Sequence, residues 1–181
     1  RSYLAALGTN GGLLAWNPSA DRPVRDLAVS GGTLYAGGEF LAINSVPRNR
    51  LAAIDASGNL LAWAPSANSY VYALAVSGST VYAGGLFSQV DAQARNSLAA
   101  ISTAGVLQPW APAPNQRVET LAVDGTTIYA GGTFFLVNGA SHNRAVAIDA
   151  NGTLLDWNPQ ASSTVNKLVV SGGNVYMGGS F

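Results

Sequence analysis

LAVDGTTIYAGGTF, from Leu121 to Phe134, decides the architecture of this chain, because close variants of it recur at one fixed interval. LAVSGGTLYAGGEF starts at Leu27, LAVSGSTVYAGGLF at Leu74 and LVVSGGNVYMGGSF at Leu168, each 47 residues from its neighbour. Trp16, Trp63, Trp110 and Trp157 keep the same step without a gap. Periodicity of that length marks a repeat architecture, in which each unit buries its apolar faces against the next.

Working outward from the repeated stretch, each unit reads as four short strands, lettered a to d. Strand a covers Val24 to Val29, and Ser30-Gly31-Gly32 turns it back into strand b, Thr33 to Ala36, which ends in Gly37-Gly38. An irregular stretch from Glu39 to Arg48 leads to strand c, Arg50 to Ile54. Asp55-Ala56-Ser57-Gly58 then turns it into strand d, Asn59 to Trp63. Four strands with turn residues between them predict an antiparallel meander. Gly or Pro interrupts every window long enough for a helix.

The units run over residues 24–70, 71–117 and 118–164, with half-units at 1–23 and 165–181, all within a single domain. The front half supplies strands c and d, and the back half supplies a and b. The two halves lack only a b-to-c connection equivalent to the seven residues from Leu41 to Pro47. Four strands in 40 to 50 residues is the pattern of a propeller blade. The strands lack strict apolar/polar alternation, as expected when a blade is covered on both faces. The expectation is therefore an all-β propeller of four 47-residue repeats, each a four-stranded antiparallel blade. It forms either a four-bladed ring, latched where the half-units meet, or part of a larger ring completed by a homo-oligomer or a longer parent chain.

With 48% apolar residues in 181, the chain can build a substantial core. Charged residues make up only 10% and cancel to zero, so no basic patch marks a nucleic-acid or anionic-lipid partner. Absence of cysteine excludes disulfides, thiolate metal sites and a cysteine nucleophile. Apolar runs fall far short of the roughly 18 residues of a membrane span, so no membrane insertion is expected. Abundant Ser, Thr, Asn, Gly and Ala with a single Lys points to an extracellular or bacterial cell-surface location.

The run from Val71 to Leu107, VYALAVSGSTVYAGGLFSQVDAQARNSLAAISTAGVL, resembles the bacterial delta-sixty type repeat, in which Gly-Gly-x-F and Arg-Asn elements recur together. A looser resemblance is to kelch blades, which also end strand b in Gly-Gly and carry a Trp on strand d. The resemblance spans the whole chain. It implies a propeller in a secreted or surface protein and brings no catalytic residues. The chain departs from the pattern at His142, where Arg is expected, and at Ser102, where Asp is.

Several motifs invite a chemical reading that their context denies. The Gly-Gly pairs lead into no helix N-terminus that could hold a phosphate, so they read as points of close backbone approach. Asp55 and Asp149 open loops with alternating oxygen side chains but no bidentate carboxylate at the twelfth position, so they read as Asx turns and not calcium sites. The Trp residues, each followed by Pro two positions later, read as wedges between blades. Arg48 and Arg95, leading strand c, read as forks onto neighbouring carbonyls. His142 is the only histidine, which excludes a His-based metal site. No catalytic residue, metal or cofactor is expected.

The repeats disagree in two sets of connections. From strand d to strand a they read NPSADRP, APSANSY, APAPNQR and NPQASST; from b to c they read LAINSVP, SQVDAQA and FLVNGAS. Both sets emerge on one face of a propeller, and variable loops on a rigid frame are where recognition resides. Asp21, Arg22, Asn68, Tyr70, Asp91, Asn115, Gln116, Arg117 and Asn138 are the candidate binding residues. Their neutral polar and aromatic chemistry suits a protein or glycan partner. The leading expectation is a non-enzymatic structural or protein-interaction module. The alternatives are a lectin-like glycan binder and a segment of a propeller enzyme using Asp26, Glu119 and Lys167.

Overall fold

In the computed structural model, which describes residues 1–181, the repeated stretch forms the same tight hairpin four times. β1 (Val24–Ser30) pairs with β2 (Thr33–Gly38), β6 (Val71–Ser77) with β7 (Thr80–Gly85), β11 (Val118–Asp124) with β12 (Thr127–Gly132), and β16 (Val165–Ser171) with β17 (Asn174–Gly179), all antiparallel. Strand c joins the far side of the first three hairpins as β5 (Leu51–Asp55), β10 (Leu98–Ser102) and β15 (Ala145–Ile148). No helix forms, and the fold is an all-β propeller.

Strand d is the weakest member of each blade. It pairs through one bridge, Ile54 with Leu60, Ile101 with Leu107 and Ile148 with Leu154, reinforced in each blade by one amide: Leu61 N–H donates to Ala53 O at 2.8 Å, Gln108 N–H to Ala100 O at 2.8 Å and Leu155 N–H to Ala147 O at 2.9 Å. The pairing stops because the chain must carry Trp63 toward the neighbouring blade, and Pro65 behind it has no N–H to extend the ladder. The front half-unit keeps the same remnant, Leu7 with Leu13.

The stretch between strands b and c, irregular by sequence, is a second small hairpin in each blade. It comprises β3 (Ala42–Ile43) with β4 (Val46–Pro47), β8 (Gln89–Val90) with β9 (Gln93–Ala94), and β13 (Leu136–Val137) with β14 (Ala140–Ser141). Its two turn residues both have positive φ: 51° and 63° at Asn44-Ser45, 49° and 60° at Asp91-Ala92, 50° and 78° at Asn138-Gly139. That is the type I′ turn, for which Asn-Gly is the best pair. Ala92 is thus a non-glycine in a left-handed position, and Ala92→Gly is expected to raise stability by about 0.5–1 kcal/mol, read as a higher midpoint in urea.

The blades stack through apolar faces. One core cluster joins Tyr35, Leu51, Ala53 and Trp63 of one blade to Val71, Leu74, Val81 and Ile101 of the next, and the second repeats it 47 residues on, from Tyr82, Leu98 and Trp110 to Val118, Leu121 and Ile128. The tryptophans are the wedges: Trp63 Nε1 donates to Ser102 O at 2.9 Å and Trp110 Nε1 to Asp149 O at 3.0 Å, each crossing to the following blade. A tyrosine of strand b meets three of the four indoles edge-on, with centroids 5.1 Å apart for Tyr35–Trp63 and Tyr82–Trp110 and 5.2 Å for Tyr129–Trp157. The two half-units do not pair with each other: β16–β17 is a separate two-stranded sheet.

Candidate functional site

Each inner strand begins with a β-bulge. Val24 pairs with Gly38 and Asp26 with Gly37, which leaves Arg25 as the extra residue; Tyr72, Glu119 and Asn166 are its counterparts in the other hairpins. A bulge turns its side chain out of the regular ladder, and bulges concentrate at barrel rims and binding sites. Here the bulged residues gather at the mouth of the propeller together with the residue after each Gly-Gly.

In the first blade Arg25 donates from Nε and Nη2 to Glu39 Oε1. Arg117 and Glu119 form a second ion pair in the third blade. Tyr72 stands between them. Burial raises its hydroxyl above the ordinary range, and it senses the charges of Arg117, Glu119, Glu39 and Arg25 together. Tyr70 packs edge-on against Tyr72 with centroids 6.2 Å apart. Leu86, half-exposed, closes a hollow of about 440 Å³ with Asn115, Gln116, Arg117 and Thr133. The result is an aromatic and aliphatic centre flanked by two ion pairs. No group of three His, Asp or Glu side chains converges to hold a metal ion.

Of the residues expected from sequence, Tyr70, Asn115, Gln116 and Arg117 belong to this platform. Several of the expected residues, Asn115 among them, spend a side-chain oxygen on the frame. Asp21 Oδ1 accepts from the amides of Leu41 and Ala42, Asn68 Oδ1 from Ser88 and Gln89, and Asn115 Oδ1 from Phe135 and Leu136. Asp91 Oδ1 accepts from Ser66 N–H and Asn138 Oδ1 from Ala113 N–H, each at the tip of its small hairpin. These side chains staple the d-to-a connection to the b-to-c hairpin and so hold the rim rigid. Burial would raise the Asp21 carboxyl, but the two amides outweigh it and hold it below the ordinary range. Arg22 is exposed on the same connection.

Arg25, Glu39, Tyr72 and Leu86 escape the loop comparison because they lie on or beside strands. Their signal is variation inside regular elements: the bulge position reads Arg25, Tyr72, Glu119, Asn166, and the position after Gly-Gly reads Glu39, Leu86, Thr133, Ser180, while everything around them repeats. Asp26, considered for chemistry, has its Oδ2 occupied by Leu74 N–H at 2.7 Å.

The strand-c arginines hold carbonyls. Arg48 donates to Leu61 O at 2.8 Å and Arg95 to Gln108 O at 2.7 Å, linking strand c to strand d. His142 occupies the same position in the third blade, buried, with Nδ1 unpartnered. Burial lowers its pKa, so the fold favours the neutral ring and loses stability as pH falls below the ordinary histidine value of 6.5. Replacing His142 with Arg restores the carbonyl link and is expected to flatten the decline in melting temperature between pH 7 and 5.

Comparison with known proteins identifies the repeat. One family model, described as outer membrane protein assembly factor BamB, matches residues 1–180. No curated protein matches. Among solved structures, the computationally designed Ika4 protein is 18% identical with a TM-score of 0.62, over 87% of this chain and 86% of that one. The computationally designed Ika8 protein is 13% identical with a TM-score of 0.42, over 93% of this chain and 71% of that one. The family match overturns the resemblance to delta-sixty and kelch repeats. Gly-Gly-x-F and an outer-strand Trp answer packing demands that blades share, so they do not separate one propeller family from another. With residues 1–180 matched by a single model, the chain belongs to the family of the outer membrane protein assembly factor BamB.

Proposed function

We propose that this chain is a protein-docking module of the bacterial envelope, acting outside the cytoplasm without chemistry of its own. The observation that carries the reading is the platform of Tyr70, Tyr72 and Leu86 between the Arg25–Glu39 and Arg117–Glu119 ion pairs. Tyrosine and arginine at the centre of a surface dominate protein interfaces. The family supports the location and the role, since its description is that of an assembly factor for outer membrane proteins. The stapled rim supports it too, because a platform that is already rigid loses little entropy when a partner binds.

A photo-crosslinking side chain placed at Tyr70 tests this in cells carrying the protein. The expected result is a crosslink to an envelope protein that is absent when the same group replaces Asp124, at the far end of the inner strand. Equal capture at both positions, or none at Tyr70, contradicts the reading. Retention on an envelope polysaccharide, lost in Tyr70→Ala, would move it to a glycan binder.

A further inference from the structure

We propose that the junction between the second and third blades binds one neutral hexose unit, at the opposite end of the strands from the docking platform. Leu86 of the platform follows Gly85, the last residue of β7, whereas Thr80, the first residue of that strand, lines a hollow of about 310 Å³. Small-molecule sites occupy about 300–1,000 Å³, so the hollow suits a ligand at the small end of that range. Tyr82, Ala100, Gln108, Trp110 and Asn151 line it as well. All of these residues lie in complete blades, in the interior of the repeat array.

The preceding junction has no such hollow, and two side chains account for the difference. There Leu61 packs against the core cluster that holds Tyr35 and Trp63. Its counterpart 47 residues on is Gln108, whose carboxamide turns back along the strand, Nε2 donating to Val106 O at 3.0 Å. The room that a leucine fills is thereby left open. Asn151, exposed, stands where the preceding junction has Ala104. A residue that serves the frame recurs in register. These two depart from the repeat together, and both line the same hollow.

The chemistry of the lining selects the ligand. Tyr82 and Trp110, edge-on with centroids 5.1 Å apart, give an aromatic wall whose electron-rich faces attract the C–H groups of a sugar ring. Gln108 Oε1, the Asn151 carboxamide and the hydroxyls of Thr80 and Tyr82 offer donors and acceptors for ring hydroxyls. Burial raises the Tyr82 hydroxyl above its ordinary range, so it keeps its proton and donates. No charged side chain lines the hollow, which leaves a phosphate or carboxylate without a counter-ion. The wall is also fixed in advance. Gln108 N–H donates to Ala100 O at 2.8 Å, Gln108 O accepts from Arg95 at 2.7 Å, and Trp110 Nε1 donates to Asp149 O at 3.0 Å. A site held in this way loses little entropy when a ligand enters.

Nuclear magnetic resonance titration of the whole chain with D-glucose, D-galactose and D-mannose tests the site. At least one of these sugars should give saturable shifts at the Trp110 indole N–H and at the amides of Gln108 and Asn151, with a Kd in the millimolar range. Gln108→Leu and Asn151→Ala copy the preceding junction, so both should fold as the wild type does. Each should weaken binding about tenfold, the worth of one hydrogen bond. Tyr70→Ala should leave sugar binding unchanged, which separates this site from the docking platform. Tighter binding of the corresponding oligosaccharide would assign a unit within a glycan chain, and equal binding a free sugar. No saturable shift with any of the sugars, binding that survives intact in both Gln108→Leu and Asn151→Ala, or a larger response to inorganic phosphate would overturn the proposal.

Discussion

Gly85→Ala is expected to be the most damaging methyl group that can be added to this protein. A Cβ at that position would sit 2.1 Å from Tyr70 O and 3.0 Å from Val71 Cα. Neither atom can retreat, because Tyr70 O accepts from Leu86 N–H at 2.9 Å and Val71 is fully buried against the blade before it. Backbone meeting backbone puts the cost at or above the upper end for overpacking, about 3 kcal/mol, which lowers the melting temperature of a domain this size by roughly 6–12 °C. The same clash awaits at Gly38, Gly132 and Gly179, where the nearest atoms are Pro23 O, Arg117 O and Thr164 O. Gly178→Ala serves as the control: with open space around it, the change should leave the fold of a single chain untouched. A pair of urea titrations, one per variant, reads both outcomes.

Trp110→Ala should cost about 3–5 kcal/mol, the range for removing a large buried aromatic side chain. Trp110 is 5% exposed, meets Tyr82 edge-on, donates to Asp149 O in the following blade and lies under Gly152. Its removal opens a cavity at the junction of two blades and leaves a carbonyl without its donor, so two units loosen together. Trp16→Ala should cost distinctly less, since that indole is half-buried and lines an open cleft with Ala6, Leu14, Leu27 and Val29. Unfolding midpoints of the two variants, measured under one condition, should rank in that order. Equal losses would mean that the tryptophans are not wedges whose worth depends on having a blade on each side.

The repeat interval made the propeller legible because wedge packing must be satisfied in every blade, so its residues recur in register. What the interval hid was equally physical. Strand d looks on paper as strong as its neighbours, yet Pro65 and the excursion of Trp63 toward the next blade reduce it to one bridge. The stretch after Gly38 looked irregular because a two-residue hairpin is too short to show alternation. Only the Asn-Gly at Asn138-Gly139 carried its signature. Asp21, Asn68 and Asn115 stood out as polar loop residues, but their own spacing of 47 was the clue to a structural duty: a side chain that reappears in register is serving the frame. Tyr70 and Arg117 lie in connections that vary between units, where comparing the repeats exposes them. Arg25, Tyr72 and Glu39 vary on or beside strands, where the surrounding repeat masks the variation.

The account depends on blades fanned about an axis and locked by indoles that reach across to the next unit. Hydrogen exchange of the indole N–H groups, followed one resonance at a time, tests this most directly. Trp63 and Trp110, bonded to Ser102 O and Asp149 O, should exchange as slowly as the central amides of β7 and β12. Exchange of both at the rate of a free indole would mean that the tryptophans do not bridge the blades, and the fanned arrangement would fall with them.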